Sequence, residues 1–319
     1  MAAESISNVA LVLMYHGVPR EGRAQAIDAR AFERHILFLK RNCTLIRPEQ
    51  YASARGSLRH PAVLLTFDDG FRNLAKVAAP ILRRHDVPAV FFVSSRHCTP
   101  GKYLWFSYLK MLAACFPGEG VTLNGKFVRL QGTQRRAGIR QLTSMLLALE
   151  PHPHAMYAAI DNQLPPIESF VSQAVLADEC AGMTEDQVRE LGQDPLFTIG
   201  GHTVDHPYLT RCDAREAERQ ISENKVWLER VTRRPCDLFA YPLADFNSNI
   251  VEQCRRIRFH QAFGVEPNDV SDFAIRRVGI YSASRMVLAA KLFYRHYLTT
   301  QLSANLRPGG DTAASPVAH

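Results

Sequence analysis

Three short runs, VALVLM (9–14), AVLLTF (62–67) and AVFFVS (89–94), are apolar almost throughout rather than at alternate positions. That pattern belongs to strands covered on both faces. Between them lie helical patterns. In ARAFERHILFLKRN, Phe32, Ile36 and Leu39 share one face, and Leu74, Val77, Ala78, Ile81 and Leu82 mark a second amphipathic helix that closes near Val87-Pro88. Strand, helix, strand, helix, strand implies parallel strands joined by right-handed crossovers, in a barrel or a doubly wound sheet. With 319 residues, 46% of them hydrophobic, the chain suits one large α/β domain with an insertion better than two independent domains.

Regularity breaks between about Pro100 and Gly182, and the insertion is expected over about 101–182. Within it VTLNGKFVRL carries Asn124-Gly125 between alternating apolar residues, a hairpin signal. A basic helix is expected from Gln134 to Leu149, with Arg135, Arg136 and Arg140 near its start, and PHPHAMYAAIDNQLPPIES reads as a loop. The alternation resumes with MTEDQVRELG behind a Thr184 cap, the strand PLFTIGG, a helix capped by Asp213 with Ala217, Ile221, Leu228 and Val231 on its buried face, and the strand LFAYP. A last helix is expected near Ser284 to Leu302. The domain thus spans 1–302, and 303–319 reads as a disordered tail.

A formal charge of +7 is spread along the chain instead of massed in a tail, so nucleic acid is not an expected partner. No run reaches the roughly 18 apolar residues of a membrane span. Contact with a membrane surface stays open. The apolar stretch near the N-terminus is too short and strand-like for an export signal, and seven scattered cysteines without C-x-x-C spacing argue against disulfides and a structural zinc site. The expectation is a cytoplasmic protein with reduced thiols.

In LLTFDDGF (64–71) an apolar strand runs into two adjacent carboxylates, Asp68 and Asp69, and a glycine. Neighbouring carboxylates at a strand end repel and lose solvation, so a cation, a proton or water must compensate them. Taken alone, DDG is an ordinary turn and cap. The companion is GGHTVDHPYL (200–209), where His202 and His206 follow another apolar strand four residues apart. A helical turn or tight loop there aims both imidazoles at one point, and a carboxylate from a neighbouring strand end completes a ligand set if both strands share a parallel sheet. A zincin needs H-E-x-x-H, and Thr203 holds the Glu position.

TFDDG followed much later by HTVDHPYL resembles the first two motifs of the polysaccharide deacetylases, the NodB-homology or carbohydrate esterase family 4 group. LMYHGV, FAYP and IRRV resemble a bacterial branch of it associated with exopolysaccharide and cell-surface glycan genes. The resemblance implies an α/β fold: a distorted (β/α) barrel of about seven strands, NodB-like, with the inserted subdomain. It implies a divalent metal held by Asp69, His202 and His206, most often Zn2+, with Co2+, Ni2+ or Fe2+ suiting the same ligands. Asp68 would be the general base, and the amide after the motif's proline, Leu243 after Pro242, would bind the oxyanion. Tyr241 and Pro242 are placed at the substrate. The implied activity is removal of acetyl groups, N- rather than O-linked, from an acetylated saccharide or glycan, such as a surface-glycan precursor.

Departures from the pattern leave gaps. The arginine that many members carry two residues before the proline is Ala240 here, so Arg276 and Arg277 are the candidates to orient Asp68 and contact substrate. There is no late Leu-His motif to supply a general acid. His16, at the end of the first strand, is the substitute, against an alternative role as a backbone-bonded strand-end histidine; His260, in CRRIRFH, is weaker. His152 and His154 read as loop residues, and Tyr103 and Trp105 as packing of the insertion or platforms for a sugar. Two alternatives remain open: an amidohydrolase of other C–N bonds on the same fold, and a degenerate glycan-binding protein. A non-haem iron oxygenase fits less well, because Asp69 lies far ahead of both histidines.

Overall fold

The computed structural model describes residues 10–22, 27–54, 60–149, 153–265 and 271–294. In chain order the first elements are β1 (Leu11–Tyr15), α1 (Ala29–Asn42), β2 (Thr44–Leu45), β3 (Ala62–Phe67), α2 (Ala79–Arg84) and β4 (Ala89–Val93). An excursion follows, with α3 (Trp105–Cys115), the hairpin β5 (Gly120–Leu123) and β6 (Lys126–Arg129), α4 (Arg135–Leu147), α5 (Pro153–Gln163) and α6 (Gln173–Val175), which runs on as a π turn over Leu176–Cys180. The alternation returns with α7 (Glu185–Gln193), β7 (Phe197–Gly201), α8 (Ala214–Thr232), β8 (Leu238–Ala240), α9 (Ser248–Arg256), β9 (Gln261–Gly264) and β10 (Ile275–Gly279).

Seven parallel strands close into a ring in the order β1, β10, β9, β8, β7, β4, β3 and back to β1. This is the distorted (β/α) barrel that the motifs implied. β2 stands outside the ring, paired only with Ala62 and Val63 at the entrance to β3. The seam between β7 and β8 is thin, with Gly201 opposite Phe239 as its one register pair. Strand periodicity sorts side chains into two layers. Val12, Leu64, Val90, Phe92, Ala240, Phe263 and Ile275 fill the barrel interior, whereas Leu11, Leu13, Tyr15, Val63, Leu65, Phe67 and Phe91 pack outward under the helices. Both faces are covered, which is why these strands read as continuous apolar runs.

The excursion between β4 and β7 has its own apolar cluster, centred on Leu109, Leu112, Leu123, Leu142, Met156 and Ile160. The stretch after residue 152 expected as a loop is helix α5. Its prolines mislead: Pro153 occupies the first turn, where no intrahelical N–H bond is lost, while Met156, Tyr157, Ala159 and Ile160 form a buried face. Arg135 does not point to solvent as a basic surface would; its guanidinium donates to Ala113 O and Phe116 O. The helix after DDG begins as a π turn, Leu74–Ala78. Residues 285–294 are helical, with Leu288 and Leu292 buried; the rest of the expected last helix, the tail 303–319 and His152 lie outside the described residues. Among the described residues no helix is long and apolar enough to cross a membrane.

The excursion is stitched to the DDG loop where it returns. Arg72 N donates to Ala181 O, Met183 N donates to Gly70 O, and Phe71 forms an antiparallel bridge with Gly182. A Cβ at Gly182 would lie 1.8 Å from the His97 carbonyl oxygen, so only glycine fits this crossing. Gly182→Ala is expected to lower the unfolding free energy by about 1–3 kcal/mol in urea titration, the cost of overpacking. An unchanged midpoint would show that the stitch yields.

Candidate functional site

Parallel strands present all their C-terminal ends on one rim. There Tyr15 pairs with Phe67, which sets His16 beside Asp68, and Val93 pairs with Gly201, which sets His202 on the next stretch of the rim. Period-2 alternation from Leu64 through Thr66 aims Asp68 into the barrel. Asp69 then takes φ +76° and Gly70 φ +79°, consecutive left-handed residues that turn the chain sharply and lift the second carboxylate onto the rim. His97 secures this turn, with Nδ1 3.1 Å from Asp69 O and Nε2 2.7 Å from Cys180 O.

His202 and His206 sit on a tight loop, not a helix. Thr203 has φ +65°; its hydroxyl donates to His202 O and accepts from His206 N, and His206 itself has φ +56°. Asn224 accepts from His202 N and donates to Val93 O, tying the loop to β4. The ring of His202 is oriented by Nδ1–H donating to Ala240 O at 2.8 Å. A carbonyl only accepts, so in the neutral ring the lone pair is on Nε2.

That Nε2 lies 3.5 Å from Asp69 Oδ1, and His206 Nε2 lies 3.3 Å from the same oxygen. All three residues are buried, their ligand atoms lie within 4.8 Å of one another, and neither oxygen of Asp69 has a hydrogen-bond partner among the described residues. Two buried carboxylate oxygens facing two imidazole nitrogens leave a gap that a divalent cation satisfies, and this nitrogen and oxygen ligand set suits zinc. Burial pushes the Asp69 carboxyl up, but His202, His206 and His16 outweigh it and hold it well below the usual carboxylate range. Burial also dominates at His206 and lowers its pKa.

Asp68 is compensated differently. Arg277, 2% exposed, donates from Nη1 to Asp68 Oδ1 at 2.6 Å. The same nitrogen lies 3.4 Å from Thr66 Oγ1, and the guanidinium lies over the Phe92 ring. Burial would raise the Asp68 pKa; Arg277, His202 and His16 more than offset that and lower it. Of the two expected arginines, therefore, Arg277 supplies the missing cation from β10. Arg276, one residue earlier, has the opposite strand parity and does not line the cavity, so it is not placed to orient Asp68 or to contact substrate there.

These groups face a cavity of about 710 Å³. His16 lines it, its ring 5.6 Å from that of Tyr281, and its Nδ1 has no hydrogen-bond partner among the described residues. Leu243 lines it too, in a left-handed conformation with φ +57°. Tyr241 reaches the cavity wall, but its ring stacks on Phe246 and its hydroxyl donates to Phe273 O. Pro242 is buried beneath that turn, and His260 is 73% exposed, outside the cavity. His154 is exposed on α5. Tyr103 and Trp105 pack against the excursion's cluster, and Trp105 Nε1–H donates to His206 O. The sequence reading passed over Phe106, Lys110 and Glu179 of the excursion, which form one side of the cavity. Phe106 lies 4.9 Å from the His206 ring.

Two outcomes are expected. In zinc titration calorimetry of metal-stripped protein, His206→Ala abolishes stoichiometric binding, and Asn224→Ala, one step behind the ligand, weakens it about tenfold. Arg277→Met leaves Asp68 buried without its cation and destabilises the protein by about 3–5 kcal/mol at pH 7 in urea titration. Because the folded-state pKa of Asp68 is depressed, the pair's stabilisation is full above the unfolded pKa of about 4 and is lost as pH falls through the folded value. The gap between variant and parent must therefore narrow in acid.

Comparison with known proteins follows the same lines. The Bacillus subtilis (strain 168) protein YxkH is 18% identical over 279 residues, covering 86% of this chain and 70% of that one. IcaB from Ammonifex degensii superposes with a TM-score of 0.55 at 17% identity, covering 92% of this chain and 97% of that one. The Streptococcus pyogenes deacetylase PplD, solved in complex with acetate, gives 0.53 at 17%, covering 88% and 96%. At these identities the two solved structures speak for the fold. The profile named polysaccharide deacetylase matches residues 55–113 and 157–262, which include the DDG turn, the two-histidine loop and the turn at Pro242. That match, over just more than half of the chain, makes the protein a member of the polysaccharide deacetylase family.

Proposed function

We propose that the protein is a divalent-metal-dependent hydrolase that removes acetyl groups from the amino groups of an acetylated saccharide. The observation that carries this reading is the pairing of two differently compensated carboxylates. Asp69 faces two imidazoles across a donor-free gap, and Asp68 beside it is kept ionised by Arg277. A module that only binds glycans has no use for a buried, ionised base.

Bound by Asp69, His202 and His206, a divalent ion such as zinc would polarise the acetyl carbonyl and make water acidic enough to be deprotonated near neutral pH. The chain's own groups carry the proton traffic. Asp68, its carboxylate fixed by Arg277, accepts the proton of the attacking water. The Leu243 N–H, presented by the left-handed turn after Pro242, is the donor for the oxyanion of the tetrahedral intermediate. His16, on the rim beside Asp68, delivers a proton to the departing nitrogen. Cleavage of the C–N bond then gives acetate and an amine, with the water's oxygen retained in acetate.

The test is acetate release from matched N- and O-acetylated saccharides, using stripped protein and protein reloaded with zinc or cobalt. Release from the N-acetylated set, restored by metal, is the expected result. Asp68→Asn should lower kcat by about a hundredfold or more while binding zinc as the parent does. Release confined to O-acetyl esters would overturn the amide preference, and zinc binding without release from any saccharide would overturn the deacetylase reading.

A further inference from the structure

One side of the cavity of about 710 Å³ is built by neither the two-histidine loop nor the barrel. That side is the face of α3 carrying Phe106, Lys110 and Met111, together with Glu179 from the π turn. It is tied to the candidate site: Trp105 donates to His206 O, the Phe106 ring packs on His206, and the His97 ring lies between Cys180 O and Asp69 O. A group on this wall therefore stands at a fixed offset from the acetyl site.

Among the described residues, two lysine or arginine side chains line the cavity, Lys110 and Arg277. Arg277 is committed to Asp68. Lys110 makes no hydrogen bond or ion pair among the described residues. The residue as a whole is exposed, yet burial lowers its pKa, against the opposing pull of Glu179, Cys180 and Asp69. An ammonium that feels Glu179 and Asp69 without a direct bond to either stays open to an anion that arrives with a ligand. Phe106, partly exposed beside it, offers an apolar surface for the face of a pyranose. Glu179 also lines a neighbouring groove of about 440 Å³, in which Arg20, Arg72 and Lys76 stand with Glu21 and Asp178.

We propose that the α3 wall is a second saccharide subsite, and that Lys110 selects there a sugar carrying an oxyanion, a carboxylate or a phosphate, next to the unit being deacetylated. The proposal rests on the deacetylase reading and narrows its substrate to an acidic glycan. Lys110 would be a specificity-determining residue that does not touch the reacting atoms.

The experiment uses the zinc-loaded protein and three probes: N,N′-diacetylchitobiose, the N-acetylglucosamine–glucuronic acid disaccharide, and a 6-phosphorylated diacetylchitobiose. For the parent protein, kcat/KM should favour at least one acidic probe by about tenfold, the worth of one charge-assisted contact, and the favoured probe tells carboxylate from phosphate. In Lys110→Met that preference should collapse toward unity through a rise in KM, whereas Lys110→Arg keeps it. Equal use of neutral and acidic probes by the parent, or a preference that survives Lys110→Met, would overturn the subsite. Should no probe release acetate, the deacetylase reading falls first, and calorimetric binding of the same probes to parent and Lys110→Met still decides the subsite: tighter acidic binding that the variant loses upholds it, and its absence removes it.

Discussion

Two ionised carboxylates cannot sit side by side on a buried rim unless each has its own positive partner, and most of the architecture at the top of this barrel follows from that constraint. Asp68 and Asp69 are neighbours in sequence, but the left-handed turn at Asp69 sends them different ways. One points down the barrel to Arg277, and the other points across the rim to His202 and His206. On the proposed mechanism, the division of labour between base and metal ligand is a division of counter-charge: Arg277 balances Asp68, and Asp69 would be balanced by a bound cation.

The arginine illustrates how a barrel tolerates relocation of parts. Many relatives are expected to bring this cation in on the strand before the proline turn, where this chain has Ala240. Here it enters from β10, on the other side of β9. In a closed ring every strand has an inward face, so a guanidinium at the right height on any strand reaches the same axial point. The price is interior volume, and Ala240 lines the interior where a larger residue would compete for it.

Legibility in the sequence tracked locality. Strands covered on both faces announce themselves by continuous apolar runs, and the motif spacings fix which strand ends carry chemistry, so the ring and the three ligand candidates were within reach. Choosing Arg277 over Arg276 needed the parity of β10, which the residues around IRRV do not settle by composition. Helix α5 is hidden in the sequence because proline reads as a helix breaker, although in a first turn it costs nothing. The side of the cavity formed by Phe106, Lys110 and Glu179 had no local signal at all. Its position depends on how the excursion folds back onto the DDG turn, through bonds between residues about a hundred positions apart.

The thin seam between β7 and β8 has a consequence for how the molecule comes together. With one register pair joining the two strands, the peptide ladder contributes little to closing the ring there. The bond from His202 Nδ1 to Ala240 O crosses the same seam just above it. The thinnest seam of the ring is therefore bridged by a side chain whose other nitrogen faces Asp69. A pull on that imidazole is a pull on the hoop itself.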